Sequence, residues 1–305
     1  MISRSTLVGA LVVAELVIVG VAAEAVSGHP TRTWTFEPRF AHGRQPVVRL
    51  LDKTFATGPA PHVVIDVDQA RVAVIAGPAG TVHVAGTMTI AGHVGGAAPS
   101  LDAVRTADGV RVAVESGLVR VRGRLERQVQ LTVPADATVQ VASAGDVSVS
   151  GLRGALVARV EDGDVRVVNH RGDVDVSTDS GNVELLDVQG RTVALHSDDG
   201  TLKLSATGAD RLDAQTSSGA ITAAGLRVVD GALRSSDGAI SVSFAPASDA
   251  AVSLHTDDGA ITGGDAGTSD EGSGTTRALR LGTARGHFNV STADGSIAVR
   301  QGASV

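Results

Sequence analysis

The sequence predicts an all-β protein whose larger part is a parallel β-solenoid, or β-helix, with about two strands in each coil of 18–19 residues. The main observation is a recurring corner, in which Asp or Ser usually precedes a glycine and alternating apolar residues follow it. Successive corner glycines are 18, 18, 19, 19, 19, 21 and 36 residues apart, and the last interval is two periods. These glycines are Gly145, Gly163, Gly181, Gly200, Gly219, Gly238, Gly259 and Gly295.

The second observation is a further turn within each period, which divides the coil into two short strands. Val174-Asp175-Val176, for example, precedes Val183-Glu184-Leu185. Because strand side chains alternate between faces, stacked coils should bring matching apolar residues into one inward row. We also expect the corner glycines to adopt positive φ angles. The predicted row consists of Val147, Val165, Val183, Leu202, Ile221, Ile240, Ile261 and Ile297.

Composition is the third observation. Hydrophobic residues make up 43% of the 305-residue chain, whereas aromatic residues make up only 2%. This balance favours thin layers packed by β-branched side chains. The net charge is −7 and no basic cluster is evident, so we expect no nucleic-acid partner. Cysteine is absent, which excludes disulfides and thiolate metal sites.

Residues 1–26 are predicted to be a membrane anchor or a signal segment. The apolar run at residues 7–23 is interrupted by one acid, Glu15, and is just long enough to span a bilayer. Ala23-Glu24-Ala25 resembles a signal-peptide cleavage site, so a cleaved signal is the alternative. Arg4 predicts that the N-terminus stays inside, with the bulk of the chain extracytoplasmic, in the cell envelope or periplasm.

Three regions follow this segment. Residues 27–61 hold five of the nine prolines and are predicted to be a linker. Residues 62–138 alternate apolar and polar residues without the regular period, which predicts an irregular β cap. Residues 139–305 are the predicted solenoid, with a flexible glycine-rich loop inserted at 263–276. No obvious capping sequence follows the last coil, so we expect it to be covered either by a loop or by a second copy of the chain.

The corner aspartates make calcium the one cofactor to consider. Equivalent residues of neighbouring coils should lie about 4.8 Å apart, and Ca²⁺ accepts several carboxylate oxygens. Asp before Gly is, however, also ordinary turn chemistry. The calcium candidates are Asp179, Asp198, Asp199, Asp257 and Asp258.

The histidines are not expected to form a metal site. His196 and His255 each precede a corner glycine by four residues, with three predicted coils and about 14 Å between them. That separation is too large for a shared metal ion. We expect these two histidines to face solvent, and likewise His170 and His287, which are near half-period turns.

The sequence does not point to an enzyme. Asp198 and Asp199 are paired acids, but neighbouring strand residues face opposite sides and would not act together on one sugar. Ser218-Gly219 lacks the strand–turn–helix setting of a nucleophile elbow. A polysaccharide-degrading β-helix enzyme would need a groove lined by converging acids, and it is the weakest of three functional hypotheses.

The arrangement resembles the bacterial β-strand-repeat, adhesin-like families of unknown function, of the DUF4097 type. The resemblance covers about residues 60–300 and depends on the N-terminal membrane segment, the irregular β region, the Leu131-Thr132-Val133-Pro134 step and the repeated corners. It implies a fold and no shared catalytic residues. The chain is also similar to the outer domains of membrane-anchored envelope stress proteins, which implies a sensing role.

Two further hypotheses follow. The favoured one is a non-catalytic, envelope-anchored module, adhesin-like or structural, that presents strand faces to a protein or an envelope surface. The alternative is a stress-sensing or signalling protein. In that case Glu15 would contact a partner helix in the membrane rather than being a tolerated, protonated acid.

Overall fold

The computed structural model describes an all-β chain. Within the described ranges no residue is helical, and no helix there is long and apolar enough to cross a membrane. The predicted segment at residues 1–26 and the first part of the predicted linker lie outside these ranges. The structure describes residues 47–95, 100–115, 120–246, 248–263 and 270–301.

These residues form a continuous series of strands. The strands are β1 (Val47–Ala56), β2 (His62–Val67), β3 (Ala70–Gly77), β4 (Thr81–Gly95), β5 (Ser100–Arg105), β6 (Gly109–Glu115), β7 (Arg120–Pro134), β8 (Thr138–Ser143), β9 (Val147–Ser150), β10 (Leu156–Val160), β11 (Val165–Arg171), β12 (Val174–Thr178), β13 (Val183–Ser197), β14 (Leu202–Ser205), β15 (Gly208–Thr216), β16 (Ile221–Ser235), β17 (Ile240–Phe244), β18 (Ala250–Gly263), β19 (Asp270–Arg280), β20 (Gly286–Thr292) and β21 (Ile297–Gln301).

The strands form two ladders around a shared apolar core, as the solenoid prediction requires. Ladder A runs β5-β6-β2-β8-β10-β12-β13-β15-β16-β20-β18-β19. Ladder B runs β1-β4-β7-β3-β9-β11-β13-β14-β16-β17-β21-β18-β19. The long strands β13, β16 and β18 contribute to both ladders. Pairing within the stack is parallel, and antiparallel strands close both ends.

The predicted inward row is present. Val165 pairs with Val183, and Val183 pairs with Leu202 on the next coil. Every member of the row is at most 1% exposed. Burying one such side chain is worth about 1.5–3 kcal/mol, so the row is a principal source of stability. Valine and isoleucine suit it because their branched side chains pack well on a pleated surface.

The order of the coils differs from the order in the sequence. Strands β20 and β21 lie between the coil of β16–β17 and the coil of β18. Ile297 therefore lies between Ile240 and Ile261 in the row. The prediction that this coil is uncapped is wrong, because it is covered on both sides, whereas pairing with another copy of the chain stays a prediction. The terminal coil is instead Ala250–Gly263.

The predicted loop at residues 263–276 is in part a strand. Residues 270–276 belong to β19, which pairs antiparallel with β18 along its whole length and covers the end of the stack. Residues 264–269 lie outside the described ranges. The glycine-rich composition misled the prediction, because strand β19 gains its pairing partner from the edge of the terminal coil and not from its own propensity.

The regions before residue 139 are also more regular than predicted. Strand β2 pairs in parallel with β8, and β3 pairs with β9, so the first coil of the stack begins at His62. Strand β1, at residues 47–56, falls within the predicted linker and closes ladder B. The period was hidden because β4 to β7, which extend both ladders, separate the first coil from the second.

The corner glycines do not have positive φ angles, contrary to the prediction. They are required because neighbouring corners approach closely: a Cβ on Gly219 would lie 1.9 Å from the carbonyl oxygen of Gly200. Five of the twelve described residues with positive φ angles recur at a different corner, after the strands of ladder B. Their positions are Gly151, Asn169, Asp187, Ala206 and Gly225.

A column of buried hydroxyl groups accompanies these glycines. Thr216 donates to the carbonyl oxygen of Gly200 at 3.0 Å and accepts from the backbone N–H of Gly219 at 3.1 Å. The same side chain, three residues before the glycine, therefore joins two successive corners. Similar bonds to the preceding corner are made by Ser197, Ser235, Thr256 and Thr292. We call this column the hydroxyl ladder. It is interrupted at the corner of Gly163, because the buried Val160 occupies the position that Ser or Thr has at the other corners.

Replacing Thr216 by valine should destabilise the protein by about 1–3 kcal/mol. The substitution keeps the side-chain volume but leaves a buried carbonyl and a buried N–H without their partner. Denaturant unfolding of the Thr216→Val variant measures this loss, and Ser218→Ala, on the exposed side of the same corner, is the control. Equal stability of the two variants would show that the hydroxyl ladder contributes nothing.

Replacing Gly219 by alanine should cost about 3 kcal/mol, since the added Cβ would overlap a backbone oxygen that the stack holds in place. Gly58→Ala is the matched control, because a Cβ at Gly58 meets no atom within 4 Å. The midpoint of thermal unfolding should fall for Gly219→Ala. For Gly58→Ala the free energy of unfolding should stay within about 0.5 kcal/mol of that of the parent. A stable Gly219→Ala variant would contradict the close-approach explanation.

Candidate functional site

The structure separates the calcium candidates into two groups. Asp179, Asp198 and Asp199 lie on adjacent corners, and the backbone N–H of Asp199 donates to the carbonyl oxygen of Asp179. Asp257 and Asp258 lie on the terminal coil, four corners further along, or about 19 Å at the usual strand spacing. Among the described residues no three His, Asp or Glu side chains converge as they would around a metal ion. Calcium binding therefore stays a prediction of the sequence.

Two of the candidate acids are bound to histidines. His196 Nε2 lies 3.2 Å from Asp198 Oδ1, and His255 Nε2 lies 3.0 Å from Asp257 Oδ1. These two histidines share a row of ladder A, as predicted, but four steps separate them and not three. The additional step is the displaced coil, which places Ser291 between Arg234 and His255.

His170 is buried, contrary to the prediction that it faces solvent. It is 0% exposed, and neither ring nitrogen has a side-chain or backbone hydrogen-bond partner among the residues that the structure describes. Burial lowers the pKa of His170; Arg171 lowers it further, and Asp173 opposes the change. His170 pairs with Val188 on the next coil, and both are 0% exposed. Position 170 thus holds a buried imidazole that binds a proton less readily than an exposed histidine does.

The outer face of ladder A carries a shallow polar hollow of about 130 Å³. Within the described part of the chain, the side chains of Asp175 and Arg234 form no hydrogen bond or ion pair, although both are exposed. Their neighbours are engaged: Asp213 binds Arg211 at 2.7 Å, and His196 binds Asp198. We call this region the ladder A hollow; its lining includes Asp175, Ala194, His196, Asp213, Gln215 and Arg234.

The geometry of the ladder A hollow is that of a contact surface. Asp175 and Asp213 are two strands apart, or about 9.6 Å, with Ala194 between them. Small-molecule sites usually enclose about 300–1,000 Å³ and bury most of the ligand. The hollow is open and smaller than that range, so it suits single groups that project from a larger partner.

The outer face of ladder B is different in character. Glu184 lies between Arg166 and Lys203 and binds both, the latter at 3.1 Å. The hydrogen bond from Lys203, supported by Arg166, holds the pKa of Glu184 below its ordinary value. Small side chains such as Ser148 and Thr222 flank this triplet. The charges of this triplet are therefore satisfied internally.

Sequence reasoning missed the hydroxyl ladder and the ladder A hollow. The hydroxyl ladder has a readable signal, a Ser or Thr three residues before each corner glycine from Gly181 onward. The hollow has no such signal, because its residues are 175, 196, 213 and 234 and meet only through the register of four coils.

The parallel stack and its two ladders define a β-solenoid-like repeat protein. The chain belongs to the Toastrack DUF4097 family, whose model matches residues 64–300. The family resemblance predicted from the repeated corners is thus confirmed.

Several solved structures are similar to this chain. A "putative adhesin" from Bacteroides fragilis NCTC 9343 aligns with a TM-score of 0.47 and 12% identity over 83% of this chain and 97% of that chain. A "putative cell adhesion protein" from Clostridium sporogenes ATCC 15579 gives 0.25 and 11% over 83% and 100%. A "putative lipid binding protein" from Parabacteroides distasonis ATCC 8503 gives 0.38 and 12% over 84% and 97%. A search of curated proteins finds no match.

The stability of the protein should fall as the pH drops below about 6.5, in part because of His170. The unfolded chain binds a proton on this histidine at its ordinary pKa of about 6.5, whereas the folded chain binds it only at a lower pH. Above pH 6.5 this histidine therefore does not lower the free energy of unfolding. Between the pKa of the unfolded chain and the lower pKa of the folded chain, each pH unit of acidification removes about 1.4 kcal/mol of that free energy. Unfolding titrations of His170→Leu should show a smaller loss on acidification.

The exposed His287 provides the control for this prediction. His287→Leu should retain the acid dependence of the parent protein. An identical pH dependence in the parent and in His170→Leu would show that the buried imidazole is not what titrates.

Proposed function

We propose that this protein is a non-catalytic binding module of the cell envelope, anchored through residues 7–23, which presents the outer face of ladder A to an envelope-surface or protein partner. The observation that carries the proposal is the ladder A hollow, where Asp175 and Arg234 lack partners among the described residues. The other charged groups around it are already paired.

The chemistry of the hollow supports recognition of a polar partner. An unpaired guanidinium offers several donors in a fixed plane, and an unpaired carboxylate offers acceptors. Gln215 and the amphoteric His196 add both kinds of group between them. A rigid sheet fixes their spacing, so little conformational entropy is lost when a partner binds.

In this solenoid, different residues determine the fold and the chemistry of the outer surface. Inward residues determine the stack, while the outward residues of the same strands leave the core unchanged because side chains alternate. Such a scaffold can present varied surfaces on one core, which suits an adhesin-like or structural protein. Proteins that bind through extended repeat surfaces use the same arrangement.

Reversing the two unpaired charges should weaken partner binding at least about tenfold, since central interface charges typically contribute more than about 1.4 kcal/mol. The measurement is binding of the full chain, on lipid-coated beads, to an envelope fraction of the producing cells. The test variant is Asp175→Lys with Arg234→Glu. Ser241→Glu, an exposed change on ladder B, is the control and should bind within about twofold of the parent.

The same assay addresses the sensing alternative. If the hollow variant binds like the parent, the surface assignment is wrong. If, in addition, Glu15→Leu abolishes an envelope-stress response while leaving membrane insertion intact, the protein is a signalling partner and not an adhesive module.

A further inference from the structure

The N-terminal end of the stack concentrates exposed apolar side chains. Ladder A ends at β5 and ladder B ends at β1. Val48 and Leu50 on β1 are 50% and 60% exposed, and Val104 on β5 is 48% exposed. These are three of the five large apolar side chains that are exposed in the described part of the chain. The end strands thus hold most of this surface, although they are a small part of the molecule.

The opposite end of the stack lacks this feature. Strand β19 covers it, and its apolar Leu279 packs against the core. Among the side chains of β19 that the structure describes, at residues 274–280, no large apolar group is exposed. Among the side chains that the structure describes, the two ends therefore differ in chemistry, and large apolar residues are exposed at the N-terminal end and not along residues 274–280.

Arginines accompany the exposed apolar residues. Arg49 on β1 alternates with Val48 and Leu50, and Arg105 on β5 follows Val104, so these arginines project from the opposite faces of the same two end strands. Arg105 is exposed, and its side chain forms no hydrogen bond or ion pair within the described residues. Apolar side chains next to basic ones are the combination that binds the interface of an anionic bilayer.

Charge is also distributed unevenly along the chain, and the part that contains the N-terminal end of the stack is the more basic one. Residues 47–134 contain nine basic and seven acidic residues, whereas residues 135–305 contain 13 basic and 23 acidic residues. An anionic surface would attract the first part and repel the second. Each arginine near such a surface contributes about 1 kcal/mol, and this attraction decays within a Debye length.

We propose that the N-terminal end of the stack, formed by Val48, Arg49 and Leu50 on β1 and Val104 and Arg105 on β5, docks on an anionic phospholipid surface. The inference rests on the proposed function, because anchoring through residues 7–23 would hold this end near a membrane. Val47 follows that segment by 24 residues in sequence. Docking leaves the ladder A hollow, on coils further along the stack, free for a partner.

A second copy of the chain is a less suitable occupant. A two-fold contact between identical ends would bring the arginines of one copy towards those of the other. Like charges that face each other across paired strands are destabilising. An anionic lipid surface contacts the same apolar residues and offers the exposed Arg105 a partner of opposite charge.

The absence of cysteine allows a direct test with the full chain, since one introduced cysteine accepts one label. Leu50→Cys places an environment-sensitive fluorophore at the docking end. Ala278→Cys, exposed on β19, places it at the opposite end as the control. Both proteins are reconstituted into phosphatidylcholine vesicles with and without phosphatidylglycerol. Flotation of the vesicles reports insertion of the anchor independently of the fluorescence.

The label at position 50 should emit at shorter wavelength and be several-fold less accessible to aqueous iodide in the anionic vesicles. High salt, or vesicles without phosphatidylglycerol, should restore the aqueous signal. Arg105→Glu should reduce the change, whereas Arg159→Glu, an exposed arginine in the middle of ladder A, should not. The label at position 278 should give the aqueous signal throughout.

Three results would overturn the inference. An aqueous signal at position 50 in floating anionic vesicles would show that the end does not dock, with the anchor intact. A change of equal size in both kinds of vesicle would exclude recognition of anionic lipid. A change that depends on protein concentration without vesicles would identify a second copy as the occupant. Failure of the vesicles to carry the protein would instead contradict the proposed anchoring.

Discussion

The close approach of one corner to the next is the constraint on which the rest of the structure depends. The corner glycines allow the backbone of one coil to lie against the carbonyl group of the coil before it, and the hydroxyl ladder joins the two. With the corners fixed at this spacing, the strands on either side pair in register. The inward row of valines, leucines and isoleucines then follows from the alternation of side chains along each strand.

Much of this architecture was predictable from the sequence, because a period of 18–19 residues is direct evidence of stacked coils. The row that includes Val165, Val183 and Leu202 was predicted residue by residue. The role of the glycines was not, since a glycine before a strand is compatible with either a positive φ angle or a close backbone contact. Only the neighbouring coil distinguishes the two, and that neighbour is about 19 residues away in sequence.

The other departures have a similar origin. The sequence of β20 and β21 has the pattern of an ordinary repeat. That pattern does not show which coils lie on either side, because every strand in the stack pairs in the same way. The burial of His170 follows from its place beside Val188, while its local sequence, Val168-Asn169-His170-Arg171, reads as a polar turn. The ladder A hollow depends on four coils at once. Local patterns therefore predict the repeat, whereas the positions where repeats meet require the register.

The displaced coil has a consequence for biosynthesis. A solenoid whose coils follow the sequence can lengthen one turn at a time as the ribosome releases the chain. Here Ala250–Gly263 can reach its final neighbours only after the ribosome has released the residues of β20 and β21, which lie between it and the earlier turns. Maturation of this end must await the synthesis of β20 and β21, so strands made later in the chain determine when the terminal coil acquires its neighbours.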